Sequence, residues 1–148
     1  MPDSAKNFFS AAEKEEIKLA ILDAELDTSG EIRVHIENKC KGDVLDRAAQ
    51  LFNILKMDKT EQHNGVLIYL AIHNRSFAII GDSGINAVVP DDFWESTKLL
   101  MINHFREGRF AAGLVAGIHE AGAQLKKHFP FKASDVNELP DDISFGSN

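Results

Sequence analysis

The sequence predicts an α/β protein, a three-layer α/β/α sandwich with helices on both faces of a short, mostly parallel mixed sheet. Segments with helical and strand periodicity alternate along the chain in the order α-β-α-β-β-α-α. The second strand is apolar almost throughout, which is typical of a strand buried on both faces. The 148 residues, 44% of them hydrophobic, suffice for one domain with a substantial core.

The first helix and the first strand have clear local signals. Ser10 and Glu13 fit a capping box, and apolar residues then recur at helical spacing, so we predict a helix over about residues 11–26. Ser29-Gly30 follows its end. Residues 31–37 alternate strictly between polar and apolar, which predicts a strand whose apolar face carries Ile32, Val34 and Ile36.

The middle of the chain predicts a helix and a strand hairpin. Gly42-Asp43 precedes a segment with an apolar helical face, which indicates the second helix. After the turn signal Asn64-Gly65, the apolar run 66–72 predicts the second strand. Residues 73–76 are typical of a hairpin turn, and 77–80 then form the returning third strand.

Two further helices complete the predicted domain. Proline suits a first helical turn and carboxylates there interact favourably with the helix dipole, so we predict a helix from Pro90-Asp91-Asp92. Glu107-Gly108-Arg109 interrupts it, and a last helix runs from Phe110 to His128 before Pro130. We therefore assign residues 8–130 to the domain and 131–148 to a polar, flexible tail, parts of which can dock through Phe131, Leu139, Ile143 and Phe145.

Composition excludes several classes of partner. Sixteen basic and 23 acidic residues give a net charge of −7, which disfavours nucleic acids and anionic membranes. Cys40 is the only cysteine and the six histidines are scattered, so neither a disulfide nor a zinc cluster is expected. We find no signal peptide and no apolar run near the ~20 residues needed to cross a bilayer, so we expect a cytoplasmic monomer.

The predicted topology brings acidic loops to one edge of the sheet. A right-handed crossover makes the first two strands parallel and the third returns antiparallel, so loop 81–86 should approach residues 27–31. Carboxylates and bare carbonyls are the ligands that Ca²⁺ and Mg²⁺ prefer. The candidate ligands are the carboxylates of Asp82, Glu31, Asp91, Asp92 and Asp27 and the loop backbone of Gly81, Ser83 and Gly84.

Three functions are compatible with this edge. The first is a divalent-cation-binding domain with an unknown physiological partner. The second is a metal-dependent acid phosphatase that hydrolyses phosphate monoesters, whose catalytic residues are not identifiable. The third is a protein-interaction module that uses Trp94, Phe93 or the acidic tail. Structural alternatives remain open for the acids, since Asp82 fits a polar turn and Asp91 and Asp92 fit the dipole of the third helix.

Four segments together resemble the TPM domain, over about residues 10–130. They are Thr28 to Val34, Asn64 to Tyr69, Ile80 to Ile85 and Glu107 to Leu114. The closing His128-Phe129-Pro130 is similar to short, soluble bacterial members. The family also includes thylakoid-lumen proteins of photosystem II repair with reported acid phosphatase character.

The resemblance implies a compact α/β/α sandwich with a Ca²⁺ or Mg²⁺ site at the acidic edge. Asp82 matches the family's glycine loop after the third strand, and Glu31 matches the Thr-Ser-Gly-Glu segment. Asp91 and Asp92 lie in the region where members carry acids after that loop. Many members have a Gly-Tyr-Gly-Leu-Glu type of loop, so the acid occupies a different place in this sequence.

Overall fold

A computed structural model describes residues 5–131 and 143–146 and confirms the predicted α/β sandwich. The helices are α1 (Ala5–Phe8), α2 (Ala11–Glu25), α3 (Val44–Ile54), α4 (Ser83–Asn86), α5 (Glu95–Arg106) and α6 (Phe110–His128), with a 3₁₀ turn at Met57–Lys59. The strands are β1 (Glu31–Glu37), β2 (Gly65–Ala71), β3 (Ser76–Gly81) and β4 (Ser144–Phe145). Within these residues, no helix is both long and apolar enough to cross a membrane.

The four described strands form one mixed sheet in the order β3-β2-β1-β4. Strand β1 is parallel to β2, and β3 is antiparallel to β2, as the crossover and hairpin predict. Strand β4 comes from the segment predicted to be a tail and pairs in parallel with β1, with Ser144 beside His35. Ile143, just before β4, is buried in the core.

Helices cover both faces of the sheet, but unequally. Apolar side chains of α2, α5 and α6 pack on one face against alternate residues of the strands, among them Val34 and Ile68. Helix α3 packs on the other face against Leu67 and Tyr69. The side chains that alternate along β1 therefore lie in two different environments, and both of them are enclosed.

The region between β3 and α5 differs from the prediction. Helix α5 begins at Glu95, one turn later than predicted, because the amide N–H of Phe93 donates to the carbonyl of Pro90 and that of Glu95 donates to Asp92. Trp94 is 8% exposed and its ring packs edge-to-face on Phe93 in the core. This packing holds the segment as turns. Asp91 and Asp92 are thus exposed residues ahead of the helix rather than part of its first turn.

Candidate functional site

Three residues stand side by side across the end of the sheet, at the edge that the topology predicts. Glu31 pairs with Gly65 in the parallel ladder, and the amide N–H of Asp82 donates to the carbonyl of Gly65 at 3.0 Å. This register places Glu31 and Asp82 on the face that α3 covers, with their Cα atoms about 10 Å apart. The glycine between them contributes no side chain, and Glu31 is only 4% exposed.

The carboxylate of Asp82 is enclosed and only half satisfied. Its Oδ1 accepts a hydrogen bond from the amide N–H of Ser83 at 2.7 Å, which caps the short helix α4. Its Oδ2 is buried and accepts no hydrogen bond from the described residues, while Nδ1 of His63 lies 3.4 Å away. The side chain is 11% exposed. The Oδ2 atom thus has the imidazole of His63 as a neighbour but no hydrogen bond from the described residues.

The loop before β2 is fixed against both neighbouring segments. Side-chain amides of Asn64 and Gln62 donate to Oγ of Ser29 at 3.2 and 3.3 Å. On the other side, the amide N–H of Gly84 donates to the carbonyl of His63 at 2.8 Å. The backbones approach so closely there that a Cβ at position 84 would lie 2.1 Å from the carbonyl oxygen of Gln62. Gly84 is therefore required for this contact between the loops.

The other predicted acids are exposed residues. The carboxylate of Asp27 is 71% exposed and lies 3.8 Å from Nζ of Lys126 on α6. Asp91 and Asp92 are exposed in the turn before α5. Among residues 5–131 and 143–146, no three side chains of histidine, cysteine, aspartate or glutamate converge to hold a metal ion. Of the five predicted acids, the strand register thus places Asp82 and Glu31 on the same face at this edge.

Sequence reasoning missed a buried polar cluster at the opposite end of β1. Glu37 is 1% exposed and accepts hydrogen bonds from Nε and Nη2 of Arg47 at 3.0 and 2.6 Å. The hydroxyl of Tyr69 donates to Oε1 of Glu37 at 2.8 Å, and Nε2 of His35 lies 3.3 Å from Oε2. These four contacts use the full acceptor capacity of the carboxylate.

The same cluster attaches β4 to the sheet. Burial lowers the pKa of His35, so its ring is neutral at pH 7. With Nε2–H donated to Glu37, Nδ1 accepts from the hydroxyl of Ser144 at 2.7 Å. The sequence carries two signals of this cluster. The first is the polar face of β1, and the second is the hydroxyl of Tyr69, a single polar group in a strand predicted to be buried on both faces. Helix α3 covers the face of the sheet to which these side chains belong.

Acid should destabilise the protein through Glu37. Burial raises the pKa of Glu37, but hydrogen bonds from Arg47, Tyr69 and His35 outweigh burial and lower it from 4.5 to about 2. The stability that ionised Glu37 contributes is complete above pH 4.5 and is lost as the pH falls through 2, a loss of roughly 3 kcal/mol. Urea unfolding between pH 6 and 2 should show this loss in the wild type.

Glu37→Gln provides the control for this prediction, because glutamine does not titrate. Its stability should fall less steeply over the same pH range. Part of the pH dependence of the unfolding free energy will remain in the variant, since the lowered pKa of His35 also makes stability decrease below pH 6.5. Identical slopes in both proteins would contradict the assignment of the acid transition to Glu37.

Comparison with known proteins identifies related chains. The family model of the TPM domain matches residues 3–124 of this chain. The NMR structure of BA42 protein from the psychrophilic bacterium Bizionia argentinensis is 51% identical with a TM-score of 0.90, and the match covers 95% of this chain and 97% of that chain. A search of curated proteins found no match.

Two more distant structures share the fold. The N-terminal domain of a protein from P. gingivalis is 22% identical with a TM-score of 0.67, covering 82% of this chain and 78% of that chain. The N-terminal domain of cg2496 protein from Corynebacterium glutamicum is 16% identical with a TM-score of 0.66, covering 88% and 82%. At these identities the two structures support the architecture alone.

Proposed function

The chain belongs to the TPM domain family, and from the geometry of its strand edge we propose that it is a divalent-cation-binding domain. Asp82 and Glu31 are the proposed side-chain ligands. The observation that carries the proposal is the Oδ2 atom of Asp82, which is buried and accepts no hydrogen bond from the described residues. A carboxylate oxygen that is buried without a hydrogen bond bears a desolvation cost, which the imidazole of His63 at 3.4 Å offsets only in its protonated form and which a bound cation would offset.

The loop carbonyls predicted as ligands do not face Glu31. The N–H groups of Asp82 and Gly84 donate to the carbonyls of Gly65 and His63. In a planar trans peptide the preceding carbonyls, those of Gly81 and Ser83, therefore point the opposite way, away from β2 and from the loop before it. Two carboxylates balance the charge of Ca²⁺ or Mg²⁺, and both ions accept water at their remaining positions. We therefore propose Ca²⁺ or Mg²⁺ as the resident ion.

Asp82→Asn should weaken cation binding by about tenfold or more, since it removes one ligand charge from an enclosed site. Asparagine keeps an oxygen that can accept from the amide of Ser83, so the cap of α4 and the fold should persist. Titration of the wild type with CaCl₂ or MgCl₂, followed by NMR, should shift amides in residues 81–86 and 28–31. Glu31→Gln should weaken binding in the same way.

Asp27→Asn and Asp92→Asn provide matched controls, because each removes one negative charge from an exposed carboxylate. Neither should change the affinity for the cation. Unchanged binding in Asp82→Asn would contradict the proposed site. An equal loss in Asp27→Asn would indicate diffuse attraction to an acidic surface instead of a site.

The same variants distinguish cation binding from the other candidate functions. Metal-assisted phosphatase activity would appear as hydrolysis of 4-nitrophenyl phosphate that requires the cation and disappears in Asp82→Asn. A protein-interaction module would retain its partner in the presence of a chelator. Trp94 is buried and Phe93 packs against it, so neither ring is presented as an exposed anchor for a partner.

A further inference from the structure

A cavity lies at the end of the sheet remote from Asp82. Its volume is about 430 Å³, within the range of small-molecule sites. It opens where the turn between β2 and β3 meets the end of α5 and the start of α6. Its lining consists of three phenylalanines, two arginines and an isoleucine, namely Arg75, Phe77, Ile102, Phe105, Arg106 and Phe110.

The aromatic rings form a contiguous apolar surface in this cavity. The rings of Phe105 and Phe110 are stacked with centroids 5.4 Å apart, and Phe77 meets Phe105 edge-to-face at 5.1 Å. Gly113 on α6 makes room for this arrangement, since a Cβ there would lie 2.4 Å from the ring of Phe105. Flat apolar groups pack well on such a surface.

The two arginines at this cavity have no acidic partner among the described residues. Two other arginines do, since Arg47 pairs with Glu37 and Arg109 with Glu107. Arg75 and Arg106 are exposed and make no side-chain hydrogen bond or ion pair within residues 5–131 and 143–146. In a chain of net charge −7, two unpaired guanidinium groups beside one apolar cavity create a local preference for anions.

The backbone of Arg75 strengthens this interpretation. Its φ is +51°, in the left-handed region that glycine or asparagine adopts with less strain. A turn at this position therefore has no local need for arginine. The side chain instead places a fork of hydrogen-bond donors at the rim of the cavity.

We propose that this cavity binds a small amphipathic anion. A flat apolar group would lie on Phe77, Phe105 and Phe110, and a carboxylate, sulfate or phosphate group would accept hydrogen bonds from Arg75 and Arg106. The cavity lies at the opposite end of β3 from Asp82, so this site is independent of the proposed cation site.

NMR titration with 1-naphthyl phosphate tests the proposal, with 1-naphthol and inorganic phosphate as the two halves of the probe. A chelator in all samples removes any contribution of bound cations. We expect amide shifts at Phe77, Phe105, Arg106 and Phe110. We also expect 1-naphthol and inorganic phosphate each to bind at least about tenfold more weakly than 1-naphthyl phosphate. Equal affinity for 1-naphthol would overturn the proposal, because the arginines would then play no part. Shifts confined to other regions would also overturn it.

Two arginine variants and a matched control complete the test. Arg106→Gln should reduce the affinity for 1-naphthyl phosphate about tenfold. Arg109→Gln removes the same charge three residues along the chain and should leave the affinity unchanged. Arg75→Gly should also weaken binding, yet its melting temperature should equal or exceed that of the wild type, because glycine suits the positive φ. Wild-type affinity in both Arg75→Gly and Arg106→Gln would refute the proposal.

Discussion

Replacement of Glu37 with alanine is expected to destabilise the protein by about 3–5 kcal/mol, a large part of the stability of a domain this size. The substitution removes the acceptor for two hydrogen bonds from Arg47 and one from Tyr69. It leaves a partly buried guanidinium and a buried hydroxyl without a partner, and both then bear desolvation costs that nothing offsets. The free energy of unfolding in urea at pH 7 measures the loss.

A series of variants separates the parts of this network. Tyr69→Phe removes one donor and should cost about 1 kcal/mol. The double variant Glu37→Leu/Arg47→Met replaces the ion pair with apolar side chains and should be more stable than Glu37→Ala, since neither charge is left unpaired. Asp46→Ala, at an exposed position on α3, is the control and should have little effect. A loss below about 1 kcal/mol in Glu37→Ala would contradict the assigned role.

The network also predicts where the damage appears. His35 donates to Glu37 and accepts from Ser144, so loss of Glu37 frees the imidazole that holds β4. Amide exchange should therefore accelerate at Phe145 and Gly146 more than in β2, whose packing against β1 and β3 remains. Uniform acceleration throughout the sheet would show instead that the variant unfolds only as a whole.

Elements with strong local periodicity were predictable from the sequence. The strand at residues 31–37 and the helix at 110–128 agree with the structure at both ends. In each case the signals lie within or beside the element. The strand shows strict alternation of polar and apolar residues, and the helix shows apolar residues at helical spacing between Arg109 and Pro130. The convergence of strand ends was also predictable, because parallel and hairpin connections determine which ends meet.

Features that depend on distant partners were not predictable in this way. Glu37 and His35 look like the solvent face of a strand until α3 and β4 are placed over them. Asp91 fits the rules for a helix start, yet tertiary packing of Trp94 holds that segment as turns. The Asp27 carboxylate likewise lies 3.8 Å from Nζ of Lys126 on α6, almost a hundred residues away, and no local pattern reveals this contact.

Gly84→Ala is expected to be the most disruptive small substitution at the candidate site, with a loss of about 3 kcal/mol. The new Cβ would lie 2.1 Å from the carbonyl oxygen of Gln62 and 2.6 Å from that of His63. These are backbone atoms and cannot rotate away, so the loop before β2 must separate from α4. The hydrogen bond from the amide of Gly84 to His63 would break with it. Thermal unfolding measures the loss.

Two neighbouring positions show that backbone contact is the cause. Ser83→Ala is an exposed change on the same helix and should have little effect. The atoms nearest to a Cβ at Gly81 would belong to the side chain of Ile85, at 3.2 Å and beyond, so Gly81→Ala should cost less. Because separation of the loops moves Gly65 away from Asp82, Gly84→Ala should also abolish the cation-dependent NMR shifts. A melting temperature equal to that of Ser83→Ala would mean that the two loops are not held together as described.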